Sequence, residues 1–170
     1  MRVLGIDPGT AVLGYGVVEG GSGRPLTLIE CGTITTRSRD PLPARLRVLY
    51  EGVTALLDRH TPGALAVESA FYGRNVRTAV VLSHARGVIL LAGEVAGVEL
   101  AEYSPAQIKK AIVGRGAALK PQVGYMVAQL LRLVRPPAPA DAADAVAVAL
   151  THMMIASRRA VFARQTMATQ

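Results

Sequence analysis

Cysteine and the bulkier aromatics are nearly missing from this chain of 170 residues, which has one Cys, two Phe and no Trp. With Cys31 alone, no internal disulfide can form, and a zinc site built from thiolates is excluded. That usage fits a reducing compartment, and Cys31 reads as a small buried hydrophobe. Lysine is scarce too: of 19 basic residues only Lys109, Lys110 and Lys120 are lysines. Long apolar runs are lacking. The most apolar stretch, 87–97, is broken by Glu94 and falls short of the roughly 20 residues that cross a bilayer. The N-terminus reaches an acid at Asp7, too soon for a signal peptide. These absences predict a soluble, cytoplasmic chain that makes no membrane contact.

What is present is a core and a surplus of positive charge. Hydrophobic residues make up 51%, enough for one packed domain. The net charge of +7 favours a polyanionic partner, nucleic acid or an anionic surface. The excess of arginine over lysine carries no functional weight, because genome composition produces it as well. One domain is expected over 1–157. The last thirteen residues, 158–170, hold three arginines and no acid and read as a loosely ordered basic tail.

Periodicity orders the elements. Residues 2–6 form a short apolar strand ending at Asp7-Pro8-Gly9. Segments 14–18 and 26–35 are rich in strand formers and flank Gly20-Gly21-Ser22-Gly23, which predicts a hairpin. Leu46, Leu49, Tyr50, Val53, Leu56 and Leu57 then recur at helical spacing until Thr61-Pro62-Gly63. A buried strand is expected over 64–67, a long apolar helix over 75–96 and a strand over 98–103. Ser104-Pro105-Ala106-Gln107 carries a cap, a first-turn proline and the glutamine of a capping box. Gly114-Arg115-Gly116 ends that helix. Further helices are expected over about 122–133 and from near Asp141. Three strands followed by alternating helices and strands give an α/β fold with a mixed sheet covered on both faces.

Four acids stand in apolar surroundings. Asp7 and Glu68 each close an apolar strand, and Asp141 and Asp144 are the only charges between Ala138 and Leu150. Three apart at a helix start, the last two share a face that continues through Val148 and Ile155 toward the core. If the strands ending at Asp7 and Glu68 are neighbours, the four carboxylates can meet. Buried anions with no local cation repel one another, and a hard dication with all-oxygen ligands relieves that repulsion. Two such ions can activate a water and stabilise a leaving oxygen at a phosphodiester. Each residue also has an ordinary role open to it: a turn at Asp7, a cap at Asp141, a first-turn acid at Asp144. Glu68 has none.

The blocks Leu4-Gly5-Ile6-Asp7-Pro8-Gly9-Thr10, Gly14-Tyr15-Gly16-Val17, Ala66-Val67-Glu68-Ser69-Ala70-Phe71, Ala85-Arg86-Gly87-Val88, Lys109-Lys110-Ala111-Ile112-Val113-Gly114 and Asp141-Ala142-Ala143-Asp144-Ala145 resemble the RuvC family of Holliday-junction endonucleases. They run from 4 to about 152 in the family's order and spacing. The resemblance implies a ribonuclease-H-like fold with a five-stranded mixed sheet and a homodimer on four-way junction DNA. It also implies paired symmetric nicks in DNA recombination and repair, with Mg2+ or Mn2+, two ions per site. By the same resemblance Asp7, Glu68, Asp141 and Asp144 are the catalytic, metal-binding acids. This chain has aspartate at the fourth position, where some relatives have histidine. Phe71 matches an aromatic at the opened junction centre, and Lys109 and, more loosely, Lys120 match basic residues tied to DNA contact or activity. The branch-migration proteins RuvA and RuvB are implied partners.

Arg74, Arg77 and Arg86 add to a basic surface along the same edge, although each also suits an ordinary wet helix face. Phe71 equally suits core packing beside Tyr72. The apolar helix over 75–96 reads as buried on more than one side, either in the core or against a second subunit. Tyr15 and Tyr103 read as packing residues. His152 lies along the last helix from Asp144 and reads as packed or exposed, with an outer role near the site also open. Three other functions remain in view. An actin-like ATPase needs a second phosphate loop that this chain lacks. A small RNA nuclease resembling YqgF shares the aspartates but not the 109–114 block. A nonenzymatic junction-binding module leaves the four acids unused.

Overall fold

The computed structural model describes residues 1–21, 23–69 and 76–167, with side chains at all of these except 77 and 160–167. Three strands come first: β1 (Arg2–Asp7), β2 (Val12–Gly21) and β3 (Arg24–Thr35). Then follow α1 (Leu42–His60), β4 (Ala64–Glu68), α2 (Val76–Val95), β5 (Glu99–Tyr103), α3 (Pro105–Val113), α4 (Lys120–Leu130) and α5 (Ala140–Met167). The sheet order is β3-β2-β1-β4-β5. β1, β2 and β3 are antiparallel neighbours, while β4 runs parallel to both β1 and β5.

The alternation of side chains across the sheet sorts the core into two layers. Leu4, Ile6, Leu65 and Val67 face α1 and α2, together with Leu49, Val53 and Ile89. Val3, Ala64, Ala66 and Val18 face α3, α4 and α5, together with Ile108, Val127 and Leu150. The parity decides where the acids go. Asp7 follows Val3 and Gly5, and Glu68 follows Ala64 and Ala66, so both belong to the α5 face.

Small residues line that face for a reason. A methyl on Gly5 would collide with the backbone of Ala145 and Ala149, on Gly16 with Val146, and on Gly14 with the carbonyl of Asp141. Gly5 and Gly16 are cross-strand partners, and Gly14 is the partner of Asp7. The three glycines form a furrow that seats the alanine-rich side of α5, on which Ala142, Ala145 and Ala149 are buried. Glycine weakens a strand, and here the close approach of a helix is its compensation.

Local signals set the helix ends. Thr61 adopts a left-handed conformation (φ 41°), and its N–H donates to Leu57 O at 2.8 Å, closing α1. Ser104 and Gln107 form the expected capping box on α3, and Gly114 (φ 86°) ends it. α4 begins two residues before the expected position. The Gln122 side-chain oxygen accepts from the Leu119 N–H at 2.9 Å, which fixes Leu119 as the cap. It also ends earlier, at Leu130, because Arg132 turns left-handed (φ 55°). α5 continues through Met167, so the basic segment from 158 to 167 is helical.

Among its described residues, α2 buries Ala85, Ile89 and Ala92 within the single chain and exposes Val76, Val80, Leu91 and Val95, as a face kept for a second subunit would be. Its window Thr78–Val95 has a mean hydropathy of 1.4 with 22% of it buried, long and apolar enough by those measures to cross a bilayer.

Candidate active site

The parallel register of β1 and β4 pairs Gly5 with Ala66 and Ile6 with Val67, so Asp7 and Glu68 end adjacent strands side by side. α5 crosses the furrow with its first turns over these strand ends. Its Asp141 backbone lies on Gly14, and Asp144 faces the same pocket as Asp7 and Glu68. The pocket has a volume of about 190 Å3 and is walled by Pro105, Ile108 and Lys109 of α3 and by Lys120 and Val123 of α4. Asp141 is not on its wall, but its charge reaches Asp7.

Electrostatics mark the cluster. Burial pushes the Asp7 carboxyl up to about 7, and the charges of Glu68, Asp144 and Asp141 add to the rise, while Lys120 opposes it. Glu68 is also raised, first by burial and then by Asp144, with Lys120 and Lys109 opposing. The Lys120 ammonium donates to Asp144 Oδ2 at 2.7 Å, and this bond holds its own titration above the ordinary lysine range. Asp144 is partly buried, whereas the Lys120 side chain is 77% exposed. A strongly shifted carboxyl in a cleft, as at Asp7, is a signature of functional sites.

The donor set is all carboxylate oxygen, which fits a hard dication such as Mg2+ or Mn2+ in chemistry. Excess negative charge in a half-buried pocket is what such an ion relieves. Among the described residues, however, no three His, Cys, Asp or Glu side chains are gathered closely enough to hold a metal ion. The acids share a pocket and a field while standing apart, with an ammonium on one of them.

Of the sequence-predicted residues, Asp7, Glu68, Asp144, Lys109 and Lys120 share this pocket. Phe71 and Arg74 lie outside the described residues, as does the side chain of Arg77. Arg86 pairs with Glu102 instead of standing free as part of a basic surface. Tyr15 does more than pack, since its hydroxyl donates to Glu30 Oε1 at 2.9 Å. Cys31 is only partly buried.

Two features of the site escaped the sequence reading. One is the furrow of Gly5, Gly14 and Gly16, whose signal was three glycines inside strands. The other is Tyr103 with His152. Tyr103 ends β5 as the register partner of Glu68, and its hydroxyl lies 2.9 Å from His152 Nδ1 in the interior. Burial holds the His152 pKa below the ordinary histidine value, and among the described residues its Nε2 has no hydrogen-bond partner. The pair ties the strand edge beside Glu68 to the helix that carries Asp144.

Comparison with known proteins places this geometry. The sequence profile of the family described as crossover junction endodeoxyribonuclease RuvC matches residues 3–152. The chain is 48% identical over 153 residues to the protein of that name from Syntrophomonas wolfei, covering 90% of this chain and 88% of the relative. It is 50% identical to that of Salinispora arenicola, covering 90% and 87%. A solved Thermus thermophilus RuvC structure superposes with a TM-score of 0.84 at 39% identity, covering 92% of this chain and 95% of the other. A second structure, T. thermophilus RuvC in complex with a Holliday junction substrate, also gives 0.84, at 35% identity and the same coverage. The yeast mitochondrial resolvase Ydc2, at 15% identity and a TM-score of 0.66, shares the fold. A ribonuclease-H-like sheet with acids at the ends of its central parallel strands, matched over nearly its whole length, thus makes this chain a member of the RuvC family of crossover junction endodeoxyribonucleases.

Proposed function

We propose that Asp7, Glu68, Asp141 and Asp144 are the hydrolytic centre with which this crossover junction endodeoxyribonuclease nicks Holliday junctions. The observation that carries the assignment is the meeting of Asp7, Glu68 and Asp144 in one pocket from three separated segments, with Asp7 pushed up to about 7. Two Mg2+ or Mn2+ ions held there would activate the attacking water and stabilise charge on the leaving oxygen. Asp7 and Glu68 offer inward-facing oxygens from rigid strand ends, while Asp141 and Asp144 approach from the first turns of α5. The positive end of that helix lowers the cost of placing two acids there. Asp144 serves as a further ligand or as the group that orients the water. Lys109, which lines the same pocket, would hold the scissile phosphate, and Lys120 would supply a second cation. Phe71 stacks on an unpaired base at the junction centre, and Arg74 and Arg77 contact phosphates. The products are nicks with 5′-phosphate and 3′-hydroxyl ends.

A second copy of the chain completes the arrangement. The exposed Val80 and Leu91 border an open apolar groove of about 640 Å3 along α2, with Leu46 of α1 on its edge. Pairing of two such faces about a two-fold axis covers them and sets two sites in opposition, which suits symmetric nicks. This accounts for the apolarity of α2 without a membrane. The enzyme then acts in the cytoplasm, alongside RuvA and RuvB.

The test is cleavage of a synthetic four-way junction with Mg2+ or Mn2+. The native chain is expected to give symmetric nicks that a ligase seals. Asp7→Asn is expected to bind the junction and leave it uncut, and retained nicking by that variant overturns the assignment.

A further inference from the structure

We infer that Lys120 is the resident counter-cation of the metal-free site, so that loading of the acids by a dication and release of Asp144 by Lys120 are a single exchange. The inference rests on the reading of these acids as metal ligands. Three observations carry it. First, the Lys120 ammonium is bonded to Asp144 at 2.7 Å, and among the described residues it is the one cation paired with a site carboxylate. Second, Asp144 lines one pocket with Asp7 and Glu68, so an ion held among these acids must share Asp144 with the Lys120 ammonium. Third, Lys120 is built to leave. It is the first residue of α4, whose first turn has no acid, and the positive end of a helix dipole disfavours a cation there. Its side chain is 77% exposed, and among the described residues one hydrogen bond holds it. Displaced from Asp144, the same ammonium is free to meet a phosphate at the rim. The contact thereby neutralises part of the charge when no ion is bound and competes with the ion when one arrives.

The experiment is direct Mn2+ binding, by electron paramagnetic resonance and calorimetry, to the DNA-free native chain and to Lys120→Met, Lys120→Arg and Asp7→Asn. Exposed ion pairs are worth up to about 1 kcal/mol, a factor of about five in affinity. Lys120→Met is therefore expected to bind Mn2+ about twofold to fivefold more tightly, and Lys120→Arg to match the native chain. Asp7→Asn is expected to lose the site. Unchanged or weaker binding by Lys120→Met, with Asp7→Asn still abolishing it, overturns the exchange and leaves the metal assignment standing. Equal tightening by Lys120→Arg also overturns it, because charge is then not the cause. If Mn2+ binds neither the native chain nor Lys120→Met, both readings fall together. Circular dichroism of each variant reports whether it is folded, and the exposure of Lys120 makes it a benign position.

Discussion

Replacing Asp7 by asparagine should stabilise the metal-free protein while it destroys catalysis. Moving a carboxyl from its ordinary 3.8 to about 7 disfavours its charged form in the fold by about 4 kcal/mol. The folded state therefore holds its proton more tightly than the unfolded chain does. By linkage, Asp7 leaves stability intact below pH 3.8, removes it progressively as pH rises toward about 7, and removes no more above that. Asparagine keeps the shape and never ionises. At pH 8 in a chelator, Asp7→Asn should gain up to about 4 kcal/mol, and for a chain of this size each kcal/mol is roughly 2–4 °C in Tm. At pH 4 the two proteins should melt nearly together. Millimolar Mg2+ should raise the Tm of the native protein at pH 8 and leave the variant unmoved, since bound ions relieve the repulsion and the variant has little to relieve. The assay is calorimetric melting from pH 4 to 8.5, with chelator and with Mg2+. If Asp7→Asn melts at or below the native temperature at pH 8, Asp7 is not a strained carboxylate, and the electrostatic basis of the site fails.

Glu68→Gln should shift melting in the same direction as Asp7→Asn, since burial raises Glu68 as well, and should also abolish nicking. Gly14→Ala should push the Asp141 backbone off the sheet and cost 100-fold or more in single-turnover nicking; wild-type rates would show that α5 does not need the furrow. Tyr103→Phe removes the hydroxyl bonded to His152 and should cost roughly 1–3 kcal/mol in urea unfolding, the range for stranding a buried polar atom. Leu91→Glu should give a monomer by sedimentation, with binding to one side of a junction and no paired nicks; a stable dimer would mean that another surface joins the subunits.

The sequence alone determined the strands, most of the helices and the family. Those properties depend on local periodicity and on short motifs such as Ser104–Gln107 and Asp7-Pro8-Gly9, whose chemistry is complete within a few residues. It also marked Asp7, Glu68, Asp141 and Asp144 as acids in apolar surroundings, because charge inside apolar runs is visible without coordinates. The start of α4 differs from the periodicity, since Leu119 gives no cap signal and the Gln122 side chain supplies one. What only the tertiary structure decided were relations across the sheet. The parity that turns Asp7 and Glu68 to one face depends on a register between strands some sixty residues apart. The seating of α5 needs Gly5, Gly14 and Gly16 to fall under one helix, and the pairings of Lys120 with Asp144 and Tyr103 with His152 join segments 24 and 49 residues apart. Side-chain periodicity is a property of one strand or helix, whereas distance between elements is fixed by packing, and packing brings together residues that the order of the chain keeps apart.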